Sequence, residues 1–486
     1  MHTQRHLSRL IICSALMAAF LRPATAESQV PGQPRAELVR PALDVSWTNG
    51  SPDARGDGAA MSGVGLDLVI RAGVRGAIGP LRYRLVPQLI ANENRDFQTF
   101  AAGDPARDGF SSPFYFGDFS ADLPSRPGDG RYLRLALGES GLWWSDRRTF
   151  VGVLATTPRW GPREGEGLVL GRSAPGLPRL ELAAAWRPPA GLVRVRWLAG
   201  VANEGDWFDA DEGNDSRIVS GARVEYERGE WLALGFARTV MSVAGRGTVA
   251  AAFQPFARGS TDSAMEIVSA DLLLYDTRAG IRAWLELARQ EPIRGMREVL
   301  ESPTEGIAFR SGLTQRLRRS TSAEWSASVE FVRLDQSGTR SGTVPNDLYT
   351  SAVVVQGWTH LGQPLGSGLG PGGQRQFARL DRAGRTWRLG AFAERARWNE
   401  DALFRQAAPA SDRHDVTLQL GLVASRMIHG HEVTATISGG RRLDYLFQGA
   451  SSTPGGEPVD LDLLRFGLSF SPSATARRIV GVFPEP

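Results

Sequence analysis

The sequence predicts an all-β chain: a transmembrane antiparallel β-barrel of about eighteen strands. Three observations carry this. Apolar and polar residues alternate with period two over long stretches. Short turns and long polar connections take turns along the chain. The first residues read as an export leader. At 3.6 residues per turn the same apolar residues would scatter around a helix, whereas at period two one face is oily and the other wet.

The leader spans 1–26. Arg5 and Arg9 give a basic start, Leu10 to Leu21 an apolar stretch, and Ala24-Thr25-Ala26 a small-x-small cleavage site before Glu27. The stretch is too short for a spanning helix, and no other window of 18 residues is apolar enough to be one. Cys13, the single cysteine, lies inside the leader without the small residues of a lipobox before it. A mature chain without thiols excludes a disulfide scaffold and a thiolate metal site. The leader also holds three arginines and no acid, so the formal charge falls from +4 to +4 − 3 = +1. The 56 basic residues are all arginine, but so balanced a charge leaves no electrostatic footprint for nucleic acid. Inward arginines suit a polar lumen, anionic sugars or lipopolysaccharide phosphates. Segment 27–37 is a short periplasmic piece, 38–471 the barrel and 472–486 a tail.

Strands are expected at 38–48, 62–72, 81–91, 130–139, 148–157, 178–187, 191–202, 216–227, 230–241, 263–276, 280–290, 305–318, 322–334, 373–382, 385–398, 413–427, 432–442 and 459–471. Val416, Leu418, Leu420 and Leu422 alternate with Thr417, Gln419 and Gly421; Val433, Ala435 and Ile437 alternate with Thr434, Thr436 and Ser438. Arg310, Arg316, Arg318, Glu324 and Glu330 fall on inward parities. Glycine- or proline-bearing turns at 187–191, 228–229, 277–280, 382–384 and 429–430 suit hairpins. Long loops fall near 49–61, 92–129, 158–177, 203–215, 242–262, 291–304, 335–372, 399–412 and 443–458. Leu348 to Val355 stays in a loop, because a strand there would break the short–long alternation. That alternation is the mark of an outer-membrane barrel with short periplasmic turns, and such barrels have even strand numbers. A soluble propeller or double sandwich would also alternate, but strands this long exceed the usual globular length.

The most distinctive stretch is Gly141-Leu142-Trp143-Trp144, followed by Thr157-Pro158-Arg159-Trp160-Gly161-Pro162-Arg163-Glu164-Gly165-Glu166-Gly167-Leu168. It resembles the Wzi family, in which a strand pair leads into a segment close to Trp-Gly-Pro-Gly and then Glu-Gly-Ser-Leu. Arg163 stands where that family often has glycine. Gly362-Gln363-Pro364-Leu365-Gly366 and Gly372-Gly373-Gln374 resemble a second family stretch, with Gln363 where tyrosine is common. The likeness covers about 38–471. It implies an outer-membrane barrel whose outer loops occlude the lumen, which binds capsular polysaccharide like a lectin and helps attach or organise it, with no catalysis. The family usually carries a helical segment before the barrel; here only Glu27 to Glu37 precede it. It also implies, as partners, surface polysaccharide, outer-membrane lipid and lipopolysaccharide, and the outer-membrane assembly machinery, at the surface of a Gram-negative-type cell.

Aromatic faces stack on sugar C–H faces while arginine, carboxylate and amide groups fix hydroxyls. Arg159, Trp160, Arg163 and Glu166 in the loop 158–177, Trp207 in 203–215 and Trp358 in 335–372 are the candidate glycan contacts. Trp160-Gly161-Pro162 also reads as a loop former folding into the lumen, and Trp143, Trp144, Trp197, Trp231, Trp284 and Trp325 as an interface girdle. The acidic run 206–215 lacks the full spacing of a calcium loop, and His429 and His431 read as turn residues. No nucleophile motif, zinc constellation or cofactor site stands out, so no enzyme is expected. The leading function is capsule or exopolysaccharide assembly and anchoring. The alternatives are a porin or sugar-uptake channel, and, further off, an outer-membrane hydrolase.

Overall fold

The computed structural model describes residues 35–50, 58–99, 104–162, 167–209, 215–244, 248–256, 264–290, 297, 306–319, 322–335, 348–406, 413–447 and 459–472. The leader and the tail beyond Pro472 therefore lie outside the described residues. Among those described, the chain forms one closed antiparallel barrel of eighteen strands. They are β1 (Arg35–Thr48), β2 (Gly65–Ile78), β3 (Leu81–Leu85 and Gln88–Asn92), β4 (Tyr132–Ala136 and Gly141–Ser145), β5 (Thr149–Leu154), β6 (Arg179–Trp186), β7 (Leu192–Asn203), β8 (Ser216–Arg228) and β9 (Leu232–Val243). Then come β10 (Ala264–Asp276), β11 (Ile281–Gln290), β12 (Ile307–Arg319), β13 (Glu324–Arg333), β14 (Gln374–Ala383), β15 (Trp387–Arg397), β16 (Val416–Ile428), β17 (His431–Leu443) and β18 (Leu461–Pro472). Each strand pairs with the next, and β18 returns to β1 with Leu43 opposite Phe470 and Trp47 opposite Phe466. Closure leaves no free sheet edge, the condition a bilayer imposes on β-structure.

The alternation held, and Leu348 to Val355 is indeed loop. Three expectations need correction. β2 runs to Ile78, so its hairpin with β3 is the tight Gly79-Pro80 turn. β3 and β4 are each broken, at Val86-Pro87 and at Leu137 to Ser140. Pro87 has no N–H for the ladder. The break carries the Leu85 carbonyl over Gly73, where a Cβ would sit 1.8 Å from that oxygen. Arg318 does not face inward: a register shift between Arg316 and Arg318 sets it opposite Trp325, on the outward face.

The two faces are reversed relative to a soluble protein. Leu133, Leu135, Phe236, Leu420, Leu422, Phe466 and Leu468 point outward and are exposed, while Glu181, Arg217, Glu286, Arg310 and Thr417 point inward and are buried. Exposing the apolar face while burying charge is stable only where the surroundings are apolar. Trp144, Trp197 and Trp325 belong to the outward surface and Trp231 is exposed at the β8–β9 turn, but Trp143 and Trp284 do not join a girdle. Trp143 packs inside with Phe150, Leu154 and Ala183. Trp284 lies opposite Gly312 on the inward row, beneath the Arg310 guanidinium. His429, at φ 48°, and Gly430, at φ 78°, form the β16–β17 turn.

Candidate functional site

Short connections gather at one end of the barrel together with Arg35 and Pro472; long connections gather at the other. At the long-loop end, two loops fold into the lumen and close it. Segments 167–178 and 348–373 bring Leu168, Val169, Leu170, Leu177, Tyr349, Val354, Trp358, Leu365 and Leu369 into one buried cluster. Their counterpart is the inward face of the wall, which at this height carries Leu198, Val219, Ala237, Met241, Ile267, Ala288, Ala308, Val332 and Ala396. Small and medium apolar side chains leave room for the plug and give it a dry surface to pack on.

Backbone pairing ties the plug together. Gly171 N donates to the Leu365 carbonyl at 2.7 Å, and Trp358 N to the Tyr349 carbonyl at 2.9 Å. The chains approach so closely that a Cβ on Gly366 would lie 2.2 Å from the Leu168 oxygen. Gly366 thus serves close approach rather than a turn, whereas Gly362, Gly370 and Gly372 adopt positive φ as turn residues. Tyr349 Oη donates to the Leu168 carbonyl and accepts from Ser367 N at 2.9 Å.

Wall side chains pin this plug. Gln290 of β11 donates to the Thr350 carbonyl at 2.7 Å and accepts from Tyr349 N at 2.9 Å. Glu286, also of β11, accepts from Leu168 N at 2.9 Å. Arg217 of β8 donates to the Asn203 carbonyl at 2.7 Å, and to the Gly357 carbonyl and Thr359 Oγ1 at 3.3 Å. The wall also carries inward arginine–carboxylate groups, Arg179–Glu181–Arg196, Arg310–Glu330–Arg375 and Arg442–Asp415 toward the long-loop end and Arg223–Asp271 at mid-height. Their mutual hydrogen bonds answer the desolvation that would otherwise expel such charges. Near the short turns the inward pairs Arg75–Glu37 and Arg316–Glu324 are accessible, so that end is an open vestibule.

A buried carboxylate clamps three loops. Asp122, from the β3–β4 connection, accepts from Gly205 N at 2.7 Å and Gly362 N at 3.1 Å through Oδ2, while Oδ1 has no hydrogen-bond partner. Burial pushes its carboxyl up to about 6, against the pull of Arg217 and the two amides. Beside it Glu204 accepts from Gln356 Nε2 at 2.6 Å and is pushed up to about 7, by burial and by the acids Asp209, Asp122 and Asp215. His360, in the hairpin of Thr359–His360 with Gln363–Pro364, accepts from Asn203 N at 3.0 Å. Burial, with Arg217 nearby, holds it at about 3, so it is neutral at physiological pH. Sequence reasoning missed Asp122, Glu204, Arg217 and Glu286, since nothing in their spacing announces a contact 83 or more residues away. Among the described residues no group of three or more His, Asp or Glu could hold a metal ion.

The six predicted glycan contacts separate. Trp160 and Trp358 are buried: Trp358 donates its ring N–H to the Val169 carbonyl at 2.7 Å, and Trp160 lies over Gly221 of the wall, where a Cβ would be 2.5 Å from the ring. In this geometry neither ring offers a face to a sugar; both join the plug to the wall. Arg159 is exposed. Trp207 is partly exposed at the plug rim, edge-on to Tyr132 with ring centroids 5.7 Å apart. Next to it Arg107 lies 3.9 Å over the Phe208 ring. Arg163 and Glu166 lie outside the described residues.

No protein-family model matches the chain, and no curated protein matches it by sequence. Solved structures do match. One is Wzi of Escherichia coli, described as an outer-membrane protein involved in group 1 capsule assembly and a carbohydrate-binding β-barrel. It shares 10% identity at a TM-score of 0.59 over 89% of this chain and 84% of Wzi. Another is the Pseudomonas aeruginosa protein OccK2, at 12% identity and a TM-score of 0.44 over 90% of this chain and 98% of its own. At such identity the likeness to Wzi speaks for architecture: this chain has the fold of an outer-membrane β-barrel.

Proposed function

We propose that the protein sits in the outer membrane of a Gram-negative-type cell with its long loops at the surface, where it binds surface polysaccharide and anchors or organises it. The observation that carries this reading is the closed end: the described segments 167–178 and 348–373 fill the lumen and are pinned there by Arg217, Glu286 and Gln290. A barrel so closed presents a fixed surface rather than a path, which suits recognition better than transport. That the Wzi structure it resembles is described as carbohydrate-binding supports the ligand class. Arg159 and Trp207 would meet the glycan, with Arg163 and Glu166 on the same loop as Arg159; Trp160 and Trp358 would hold that surface rigid from beneath.

The test is deletion in the native host, with cell-bound and released polysaccharide measured separately. Loss of the bound fraction with a matching rise in the released one is expected. If both fractions stay unchanged, the anchoring role fails. Steady large openings of the purified protein in planar bilayers would favour the channel instead.

A further inference from the structure

Residues 248–256, between β9 and β10, do something the plug loops do not: they lie against the outside of the barrel. A short helix, Thr248–Ala252, runs into a 3-10 turn, Gln254–Phe256. Ser220 Oγ donates to the Ala251 carbonyl at 2.8 Å, Trp197 Nε1 to the Ala252 carbonyl at 3.0 Å, and Arg238 to the Pro255 carbonyl at 3.2 Å. Those three wall residues all face outward. Trp197, Ala222 and Arg238 stand opposite one another in a single row across β7, β8 and β9. The other parity of β8, with Arg217 and Gly221, faces the plug.

Outward polar groups on a membrane barrel are costly if lipid meets them. Here Arg238 makes a two-pronged pair with Glu266 of β10, at 2.7 and 2.8 Å, and the segment covers it; Glu266 and Ser220 are buried. Phe253 stacks on Trp197, with centroids 5.2 Å apart and planes 10° from parallel. Yet Phe253 remains 54% exposed and Phe256 60% exposed. The two rings thus extend outward the same surface whose lower part is Val224, Leu234 and Phe236, all exposed and outward.

We propose that Thr248–Phe256 is a lipid-facing anchor that inserts Phe253 and Phe256 into the headgroup–acyl boundary while screening the Arg238–Glu266 pair from lipid. The occupant is the bilayer, because this patch continues the apolar belt that the bilayer covers. An aromatic pair on a small amphipathic element is the composition such a boundary takes up. The inference rests on the reading of the barrel as membrane-spanning.

Cys13 is the chain's only cysteine, so single thiols can be placed cleanly once it is replaced by alanine. Phe253→Cys, Phe256→Cys, Leu420→Cys and Val353→Cys would each be nitroxide-labelled in the full-length barrel reconstituted in phosphatidylcholine vesicles. Collisions with oxygen, which concentrates in lipid, are compared with collisions with a water-soluble nickel chelate. Leu420 reports the belt, and Val353 the plug loop, where it is exposed. Oxygen-to-nickel ratios at 253 and 256 well above Val353, and between it and Leu420, are expected. Ratios equal to Val353 would make the segment a solvated loop, and protection from both reagents with cross-linking into dimers would make it a protein interface; either overturns the proposal. A low ratio at Leu420 itself would instead sink the membrane reading. Heat-modifiable migration confirms that each variant has folded. Should Phe253→Cys disturb the stack on Trp197 and fail to fold, Phe256→Cys carries the test alone.

Discussion

Replacing Trp358 by alanine should open the lumen without unfolding the barrel. The indole is fully buried among plug and wall side chains, and its N–H donates to the Val169 carbonyl at 2.7 Å. Truncating a buried tryptophan costs ~3–5 kcal/mol, and leaving the Val169 carbonyl unanswered adds ~1–3 kcal/mol. Since each 1.4 kcal/mol is a factor of ten, a loss of ~4 kcal/mol raises the open-to-closed ratio of the plug by roughly a thousandfold. None of this falls on the strand ladders, which are bonded independently of 348–373. The assay is planar-bilayer conductance alongside limited proteolysis of the reconstituted protein, with heat-modifiable migration as the check on the barrel. Wild type should be quiet and protected; the variant should show frequent openings and cleavage within 348–373. Trp358→Phe keeps most of the volume and loses the hydrogen bond, so its effect should be about 1–2 kcal/mol. An alanine variant as quiet and as protease-resistant as wild type would refute the view that this packing holds the plug.

Other consequences follow from the same contacts. Asp122 at about 6 and Glu204 at about 7 bind protons more tightly in the closed plug than carboxylates do in an open chain, so closure is favoured at low pH and loses that support as pH rises from about 4 through about 7. Proteolysis of the plug loops should accordingly be faster at pH 8 than at pH 5, and Glu204→Gln should flatten the difference. Gly366→Ala places a methyl against the Leu168 backbone oxygen and should loosen the plug by about 1–3 kcal/mol, read as earlier loop cleavage at unchanged barrel melting. Arg442→Ala would strand the fully buried Asp415, which now takes two charged bonds at 2.6 and 2.7 Å, and should cost ~3–5 kcal/mol in denaturant titration. Trp207→Ala, at the partly exposed rim, should weaken retention of capsular glycan in a pull-down while leaving melting unchanged.

The wall was legible because its information is local. Leu418, Leu420 and Leu422 against Thr417, Gln419 and Gly421 disclose two faces within six residues, and closure needs nothing beyond an even count of such strands. Where local signals misled, an inserted residue was the reason. The shift at Arg316 to Arg318 turns one arginine from lumen to lipid side, and period two alone carries no trace of it. Trp143 and Trp284 show a related blindness: tryptophan composition suggests a girdle, but parity sends both inward, a reading available from Trp284 sharing its parity with Glu286. The plug was legible only as composition. Gly362-Gln363-Pro364-Leu365-Gly366 announces turns, yet that Gly366 must pass the Leu168 carbonyl depends on a partner 198 positions earlier. The rings taken for sugar contacts, Trp160 and Trp358, illustrate the same gap. An aromatic in a long polar loop looks solvent-facing until the loop is known to fold inward.

What distinguishes this barrel from an open one is how the inward face changes along its height. Period two says only that a side chain points inward; it does not say what meets it there. Near the short turns the inward charges stand in water, at mid-height Arg223 and Asp271 pair over Gly235 of the strand between them, and toward the long-loop end Ala237, Ala288, Ala308 and Ala396 are set among the remaining pairs. Alanine on an inward face wastes the lumen unless something fills it, so these positions already imply a plug. Two charges at that height, Arg217 and Glu286, bond plug backbone, while Arg310, Arg375 and Arg442 are taken up by Glu330 and Asp415. A chain that kept the alternation but carried arginine or glutamate at those four alanines would close into the same barrel and remain open at both ends. Substituting Ala237 and Ala288 by arginine in this chain should therefore expel the plug, with steady conductance and an unchanged heat-modifiable band; a quiet barrel with both substitutions would show that the loops close the end without packing on the wall.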